Sequence, residues 1–292
     1  MRAFMLLAAA LLLLGCTAAP QQSPAPAQPA LPSGQPTGTA PSQEPVPSEP
    51  AAPAEETVQP AEQPPAQPVT SLENEEFIYN SGIWKIHGTL YASKEGVTKK
   101  AIVLVPMLGK DRNSYPISFI EKLHSNFPDA LILAIDPRGH GESDNQGSWE
   151  SFNQDGFRDM KTDILNIKKN LEPRYPSLSQ LYVVGASMGS TSAINAAVQD
   201  KAITKVVMLS PGMEYRGVDI RDALEDYIRP VYVVASSGDS YSAQSISEIE
   251  ALSSRPEMEK RIYSGSAHGT DMFAATEGTS DSLEDVIVEF LK

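Results

Sequence analysis

Ser187 stands in the run Gly185-Ala186-Ser187-Met188-Gly189, a serine with a glycine two residues to either side. A serine hydroxyl is a poor nucleophile at neutral pH. It attacks a carbonyl when a base takes its proton, and the base in turn is held by an acid. The chain offers four histidines for the first task, His87, His124, His140 and His268, and 37 Asp and Glu residues for the second. Glycine and serine are common enough that the G-x-S-x-G spacing arises by accident in roughly one chain in ten of this length, so the surroundings of Ser187 must decide its meaning.

The N-terminus carries Met1-Arg2, an apolar stretch from Ala3 to Leu14, then Gly15-Cys16. A positive start, a short apolar segment and small residues at a cleavage point describe a secretory signal over 1–15. About twelve apolar residues fall short of the roughly 20 that a spanning helix needs. Leu13-Leu14-Gly15-Cys16 resembles a bacterial lipobox, which implies that Cys16 is lipidated and ties the mature chain to a membrane. Cys16 is the single cysteine in 292 residues, so no internal disulfide is expected. From Thr17 to about Thr70 lie 15 of the 24 prolines, among Ala, Gln, Ser and Glu and with no Lys or Arg. Residues 16–71 therefore read as a disordered tether, able to reach roughly 150 Å in a polyproline-like state. Part of the net charge of −14 sits in this tether as glutamates, which argues against polybasic binding to anionic lipid or nucleic acid.

Residues 72–292 have the length of one domain with a full core. Apolar, β-rich runs alternate there with helical patterns, the signature of a mostly parallel sheet covered on both faces. An opening hairpin is expected through Glu76–Tyr79, a turn at Asn80-Ser81-Gly82, and a return along Ile83 to Ala92. Further strands are expected at Ala101–Val105, Ala130–Ile135, Leu181–Val184, Val206–Leu209, Pro230–Ala235 and Lys260–Tyr263, eight in all. Phe157, Met160, Ile164, Ile167 and Leu171 recur at helical spacing, as do Leu283, Val286, Ile287, Phe290 and Leu291. Ser187 then falls between the end of a strand and a helix over Met188 to Val198. Its flanking glycines suit a turn in which side chains would collide with neighbouring backbone.

That strand, turn and helix, together with Asp136-Pro137-Arg138-Gly139-His140-Gly141-Glu142-Ser143 after the fourth strand, resemble the α/β-hydrolase family across essentially the whole domain. The resemblance implies an α/β-hydrolase fold in which Ser187 is the nucleophile at a sharp elbow. The family's chain order of serine, acid, histidine singles out His268, the one histidine after Ser187, as base. It points to Asp239 as acid, with Glu214 at the other position some members use. Asp271 is too near His268 in sequence to approach its ring from behind. His87 and His124 read as structural, and His140 as a residue that lines the site. The oxyanion hole is expected from the backbone amides of Met188 and Met107; Pro106, where many relatives carry His-Gly, departs from the family pattern.

About twenty residues separate the strands ending near Leu209 and starting at Pro230, too few for the helical cap of larger relatives. The site is therefore expected to be open, or roofed by Asp144–Phe152 with Trp149 and by Met272-Phe273. No metal or cofactor is called for, and neither a dinucleotide nor a P-loop fingerprint is present. These readings lead to a lipid-anchored, extracytoplasmic serine hydrolase acting on small or medium acyl esters. Thioester or peptide cleavage, or a silent hydrolase-like binding lipoprotein, are the alternatives.

Overall fold

The computed structural model describes residues 72–92, 98–252 and 257–292; the expected signal, Cys16 and tether lie outside them. Along the chain, β1 (Glu75–Ser81) and β2 (Trp84–Tyr91) form the opening hairpin. They are followed by β3 (Lys100–Val105), α1 (Ile117–Asn126) and β4 (Ala130–Ile135). A broken helical run, α2 (Gln154–Asp159), α3 (Lys161–Leu165) and α4 (Ile167–Leu171), leads to β5 (Gln180–Ala186), α5 (Met188–Ala197) and β6 (Ile203–Leu209). A two-stranded excursion, β7 (Glu214–Tyr215) and β8 (Val218–Asp219), precedes α6 (Arg221–Asp226) and β9 (Val231–Ser236). The remainder is α7 (Ser240–Leu252), β10 (Met258–Tyr263), α8 (Met272–Thr276) and α9 (Leu283–Leu291).

Eight strands form one sheet in the order β1-β2-β4-β3-β5-β6-β9-β10. The hairpin joins it antiparallel and every other pairing is parallel. The central strands β3 and β4 are buried almost throughout, as their unbroken apolar runs require, whereas β1 alternates exposed and buried residues. Side chains alternate across the sheet. Ala101, Val103 and Val105 face a core closed by α3 to α7, and Ile102 and Leu104 face a second core closed by α1, α8 and α9. Both expected helical stripes do this packing: Ile164, Ile167 and Leu171 lie in the first core, Leu283, Ile287 and Leu291 in the second.

Two details differ from the sequence reading. The hairpin turn is Gly82-Ile83, one residue later than expected, because Ser81 still pairs with Trp84 and its hydroxyl is buried against the Arg138 guanidinium. Between β6 and β9 the chain makes the β7–β8 hairpin, whose two-residue turn places Arg216 and Gly217 at positive φ, 54° and 78°. That pair of left-handed residues is the turn a tight hairpin prefers.

Candidate functional site

Ser187 and Met188 lie where β5 gives way to α5, and Met107, Asp239 and His268 lie in the loops that follow β3, β9 and β10. Ser187 has φ 50° and ψ −115°, a conformation that a side-chain-bearing residue adopts only under constraint. The constraint is visible on both sides. A Cβ on Gly185 would meet the Gly189 carbonyl oxygen at 2.4 Å, and a Cβ on Gly189 would meet the carbonyl oxygens of Pro106 and Val105 at 2.5 Å each. The turn thus closes only with glycine at both positions, and it presses α5 against the loop after β3. The Ser187 amide is fixed by the Leu209 carbonyl at 2.8 Å.

His268 and Asp239 meet. His268 Nδ1 lies 2.7 Å from Asp239 Oδ2. Two loops are laced together to bring this about: the Ser237 amide donates to the Tyr263 carbonyl (2.8 Å) and the Gly238 amide to the Gly265 carbonyl (2.7 Å). The Ser236 hydroxyl adds a bond to the Ala267 carbonyl at 2.7 Å. A Cβ on Gly238 would stand 2.7 Å from the Gly265 oxygen, so the loops approach to backbone contact. Burial pushes the Asp239 carboxyl up. The hydrogen bond from His268 and those from the Ser242 and Ser210 hydroxyls outweigh it, so the group is held below its ordinary value and stays ionised. Glu214 is exposed on β7, where its amide and carbonyl are both clamped by the Tyr241 hydroxyl, and it makes no bond to His268.

The Ser187 hydroxyl makes no hydrogen bond to His268 in this structure. The two loops are nevertheless joined through a residue that sequence reasoning missed. Ser210, directly after β6, has φ 47°, and its hydroxyl accepts from the Gly269 amide at 2.8 Å, next to His268. The Ser187 amide is bound one residue before it, at Leu209. Tyr215 was missed as well. Its phenol donates to the Ser210 carbonyl (3.1 Å) and lies 3.4 Å from the Ser242 hydroxyl. Burial raises its pKa, and the neighbouring Ser242 and Ser187 hydroxyls draw it partly back. The sequence signal for both was faint: a Ser-Pro-Gly turn after a strand, and one tyrosine in a short hairpin.

Met107 is buried beside this group, and a Cβ on Gly269 would meet its sulfur at 2.5 Å. The loop closes as a turn through the Lys110 amide and the Met107 carbonyl (3.1 Å). Among the described residues the amides of Met107 and Met188 donate to no carbonyl; for Met188, the first residue of α5, helix geometry provides no intrahelical acceptor. Pro106 contributes the carbonyl against which Gly189 packs, so its lack of an N–H removes nothing from the site.

The segment 136–143 is a scaffold for the loops around the serine. The Asp136 carboxylate accepts from the Arg112 amide (2.8 Å), from its guanidinium (2.6 Å) and from the Glu142 amide (3.0 Å). A Cβ on Gly141 would collide with that carboxylate at 2.3 Å, which explains the glycine. Arg138 is buried in a pair with Asp163 at 2.8 Å, and the Ser143 hydroxyl accepts from the His87 amide at 2.8 Å. His87 itself sits on β2 with Nδ1 2.9 Å from Glu76, and His124 lies in α1; neither is near the elbow's partners.

A third, small apolar cluster lies over this edge, apart from the two cores: Phe157, Met160, Met188 and Val218, flanked by Leu108, Trp149, Phe152 and Tyr215. The expected roof over 144–152 is present in it. Met272-Phe273 is not part of it: Phe273 packs at a tilt on Phe119 (4.7 Å) and edge-on to Tyr115 (5.8 Å) in the second core, because α8 turns inward to meet α1. The β7–β8 hairpin takes its place.

The family described as "Serine aminopeptidase, S33" matches this chain over 97–273. Among solved structures, an esterase of Pyrococcus furiosus aligns with a TM-score of 0.62 at 19% identity, covering 76% of this chain and 92% of that one. A thermostable carboxyl esterase from Bacillus coagulans gives 0.57 at 14% identity, covering 75% and 97%. A dienelactone hydrolase from Anabaena variabilis gives 0.57 at 16%, covering 75% and 94%. These three likenesses establish a common α/β-hydrolase fold. No curated protein matches the chain. The family match takes in the loop after β3, the 136–143 segment, the elbow and the His268 loop, more than half of the sequence, and on that ground the chain belongs to the serine aminopeptidase S33 family of hydrolases.

Proposed function

We propose that the protein is a serine hydrolase that cleaves small or medium acyl esters through an acyl-enzyme. Ser187 is the nucleophile, His268 the base, Asp239 the acid that holds it, and the amides of Met107 and Met188 the oxyanion donors. The observation that carries this reading is the 2.7 Å pair of His268 and Asp239, set beside a serine held at positive φ between two glycines. The Asp239 carboxylate fixes a proton on Nδ1 and leaves Nε2 as the base. Contacts between nucleophile and base are often loose without substrate and tighten in the reacting complex, which accommodates a Ser187 hydroxyl not bonded to His268. The small apolar cluster around Leu108, Phe152 and Val218 would give an acyl chain of modest length an apolar surface to lie against.

Peptide cleavage is the second reading, favoured by the description of the family itself. The same proton relay serves both, and relative turnover of an acyl ester and an aminoacyl amide separates them. Replacement of His268 by alanine is expected to lower ester turnover by roughly four orders of magnitude or more; unchanged turnover removes His268 from the mechanism. The reading extends to a cell-envelope location through lipidated Cys16. A Cys16→Ser chain is expected to leave the membrane fraction, and one that stays there removes the anchor. Among the described residues no helix is long and apolar enough to cross a membrane.

A further inference from the structure

With no hydrogen bond between the Ser187 hydroxyl and His268, the spacing of nucleophile and base is set by what holds their two segments. From the acid's side the His268 loop is held three times over, by the Ser236 hydroxyl on Ala267 and by the Ser237 and Gly238 amides on Tyr263 and Gly265. From the serine's side, among the described residues, one hydrogen bond reaches the backbone beside His268. It runs from the Gly269 amide to the Ser210 hydroxyl, at 2.8 Å.

Ser210 is wholly buried directly after β6, and its polar groups go to different parts of the site. Its amide donates to the Val234 carbonyl (2.7 Å) on β9, the strand that leads to Asp239. Its carbonyl accepts from the Tyr215 phenol (3.1 Å), whose ring packs on the small cluster that contains Met188. Its hydroxyl, besides accepting from Gly269, has one proton to give. Burial raises the Asp239 carboxyl, and the Ser210 hydroxyl is among the groups that more than offset this. The Met272 sulfur, 3.5 Å away, is the second acceptor within reach. The residue before it, Leu209, takes the Ser187 amide at 2.8 Å. Nucleophile, acid and base are thereby all referred to one short stretch of backbone.

That backbone is left-handed, with φ 47° at Ser210. Glycine takes this conformation freely and residues with a Cβ resist it. The strand end alone would be served better by glycine, and what serine brings in exchange for the strain is a hydroxyl. Placed between an amide next to the base and the carboxylate behind it, that hydroxyl fixes the direction in which the imidazole points. Direction matters here because a misplacement of about 1 Å in a reacting group can cost roughly 100-fold in rate.

We propose that Ser210 is a positioning residue of the hydrolase: through Gly269 and Asp239 it holds the His268 ring where Nε2 can take the proton of Ser187, and Tyr215 secures it from the opposite side. Ser210 itself transfers no proton to or from the substrate. The inference rests on the reading of Ser187, Asp239 and His268 as the proton relay.

The test measures kcat and KM of the full chain for para-nitrophenyl acetate. Fluorophosphonate labelling carried to completion counts the competent sites, so that kcat is expressed per labelled serine. Ser210→Gly relieves the left-handed backbone and removes the hydroxyl. It is expected to keep the site count and thermal midpoint of the parent while kcat falls roughly 10- to 100-fold and KM stays within about twofold. Ser210→Ala, which keeps the Cβ, is expected to show the same loss per labelled site. Tyr215→Phe is expected to act in the same direction by a smaller factor, roughly three- to tenfold. A second arm repeats Ser210→Gly in a His268→Ala chain. With no imidazole to aim, the slow residual rate is expected to change by less than about twofold, whereas a purely structural role would carry its loss into both backgrounds. An unchanged kcat per labelled site in Ser210→Gly, or equal losses with and without His268, overturns the assignment and leaves the relay standing. If the parent neither hydrolyses the ester nor labels at Ser187, the relay itself falls and the role of Ser210 with it.

Discussion

At the elbow, Gly185 and Gly189 meet backbone atoms of their own turn and of the loop after β3, and the geometry is fixed by the absence of side chains. In the roof above it, Leu108, Trp149, Phe152, Tyr215 and Val218 arrive from three separate loops and meet through large side chains. The first region tolerates no added atom and is written in a five-residue run. The second is a set of long-range contacts that tolerates repacking, and no local pattern encodes it. On the proposed function, the elbow fixes the chemistry and the roof bears on what the chemistry acts on.

Substitutions can be ordered along this contrast. Ser187→Ala is expected to lower kcat/KM for an aryl ester by roughly four to six orders of magnitude, with the fold unchanged by circular dichroism. Asp239→Asn is expected to cost about 10⁴ in kcat, because it disturbs the tautomer of His268 without emptying the site. Glu214→Gln, by contrast, is expected to leave turnover within about twofold, as for a surface residue away from the relay; a reversed order would make Glu214 the acid. Gly189→Ala drives a methyl into two carbonyl oxygens at 2.5 Å. It is expected to lower both stability, by about 1–3 kcal/mol, and turnover, since the elbow must open to admit it. In the roof, Phe152→Ala is expected to reduce the preference for butyrate over acetate esters by roughly tenfold while acetate turnover changes less. A loss shared equally by both esters would assign Phe152 to support of the elbow.

The smallest effect concerns pH. Burial lowers the pKa of His140, so as pH falls below about 6.5 the unfolded chain takes up a proton that the folded chain does not. The stability it contributes is present above that pH and is lost on the way down to the folded pKa. The thermal midpoint is therefore expected to decline between about pH 7 and pH 5, and to decline less in His140→Gln. Asp239, also lowered, acts in a separate window that begins near the ordinary carboxylate range at about pH 4.

The same contrast explains what could be read in the sequence. The strands were legible because parallel strands buried on both faces are continuous apolar runs, as at Ala130–Ile135, and the helix stripes because a 3.6-residue period leaves Ile164, Ile167 and Leu171 on one side. The place of Ser187 between a strand and a helix, and the meeting of His268 with Asp239, could be anticipated because loops at strand ends follow from the fold. The β7–β8 hairpin was not, since two residues per strand leave no periodicity to detect. Ser210 escaped notice because its role depends on a positive φ that serine composition does not announce. Met272-Phe273 misled because apolar residues close to the proposed base serve equally well as core, and here the second core claimed them.

Ser187 is proposed as the group that becomes acylated. Treatment of the full chain with a fluorophosphonate, followed by digestion and mass spectrometry, reads this directly. The predicted result is a single adduct on the peptide carrying Ser187, absent in Ser187→Ala and formed far more slowly in His268→Ala. An adduct of undiminished yield in Ser187→Ala, or one located on another residue, would contradict it.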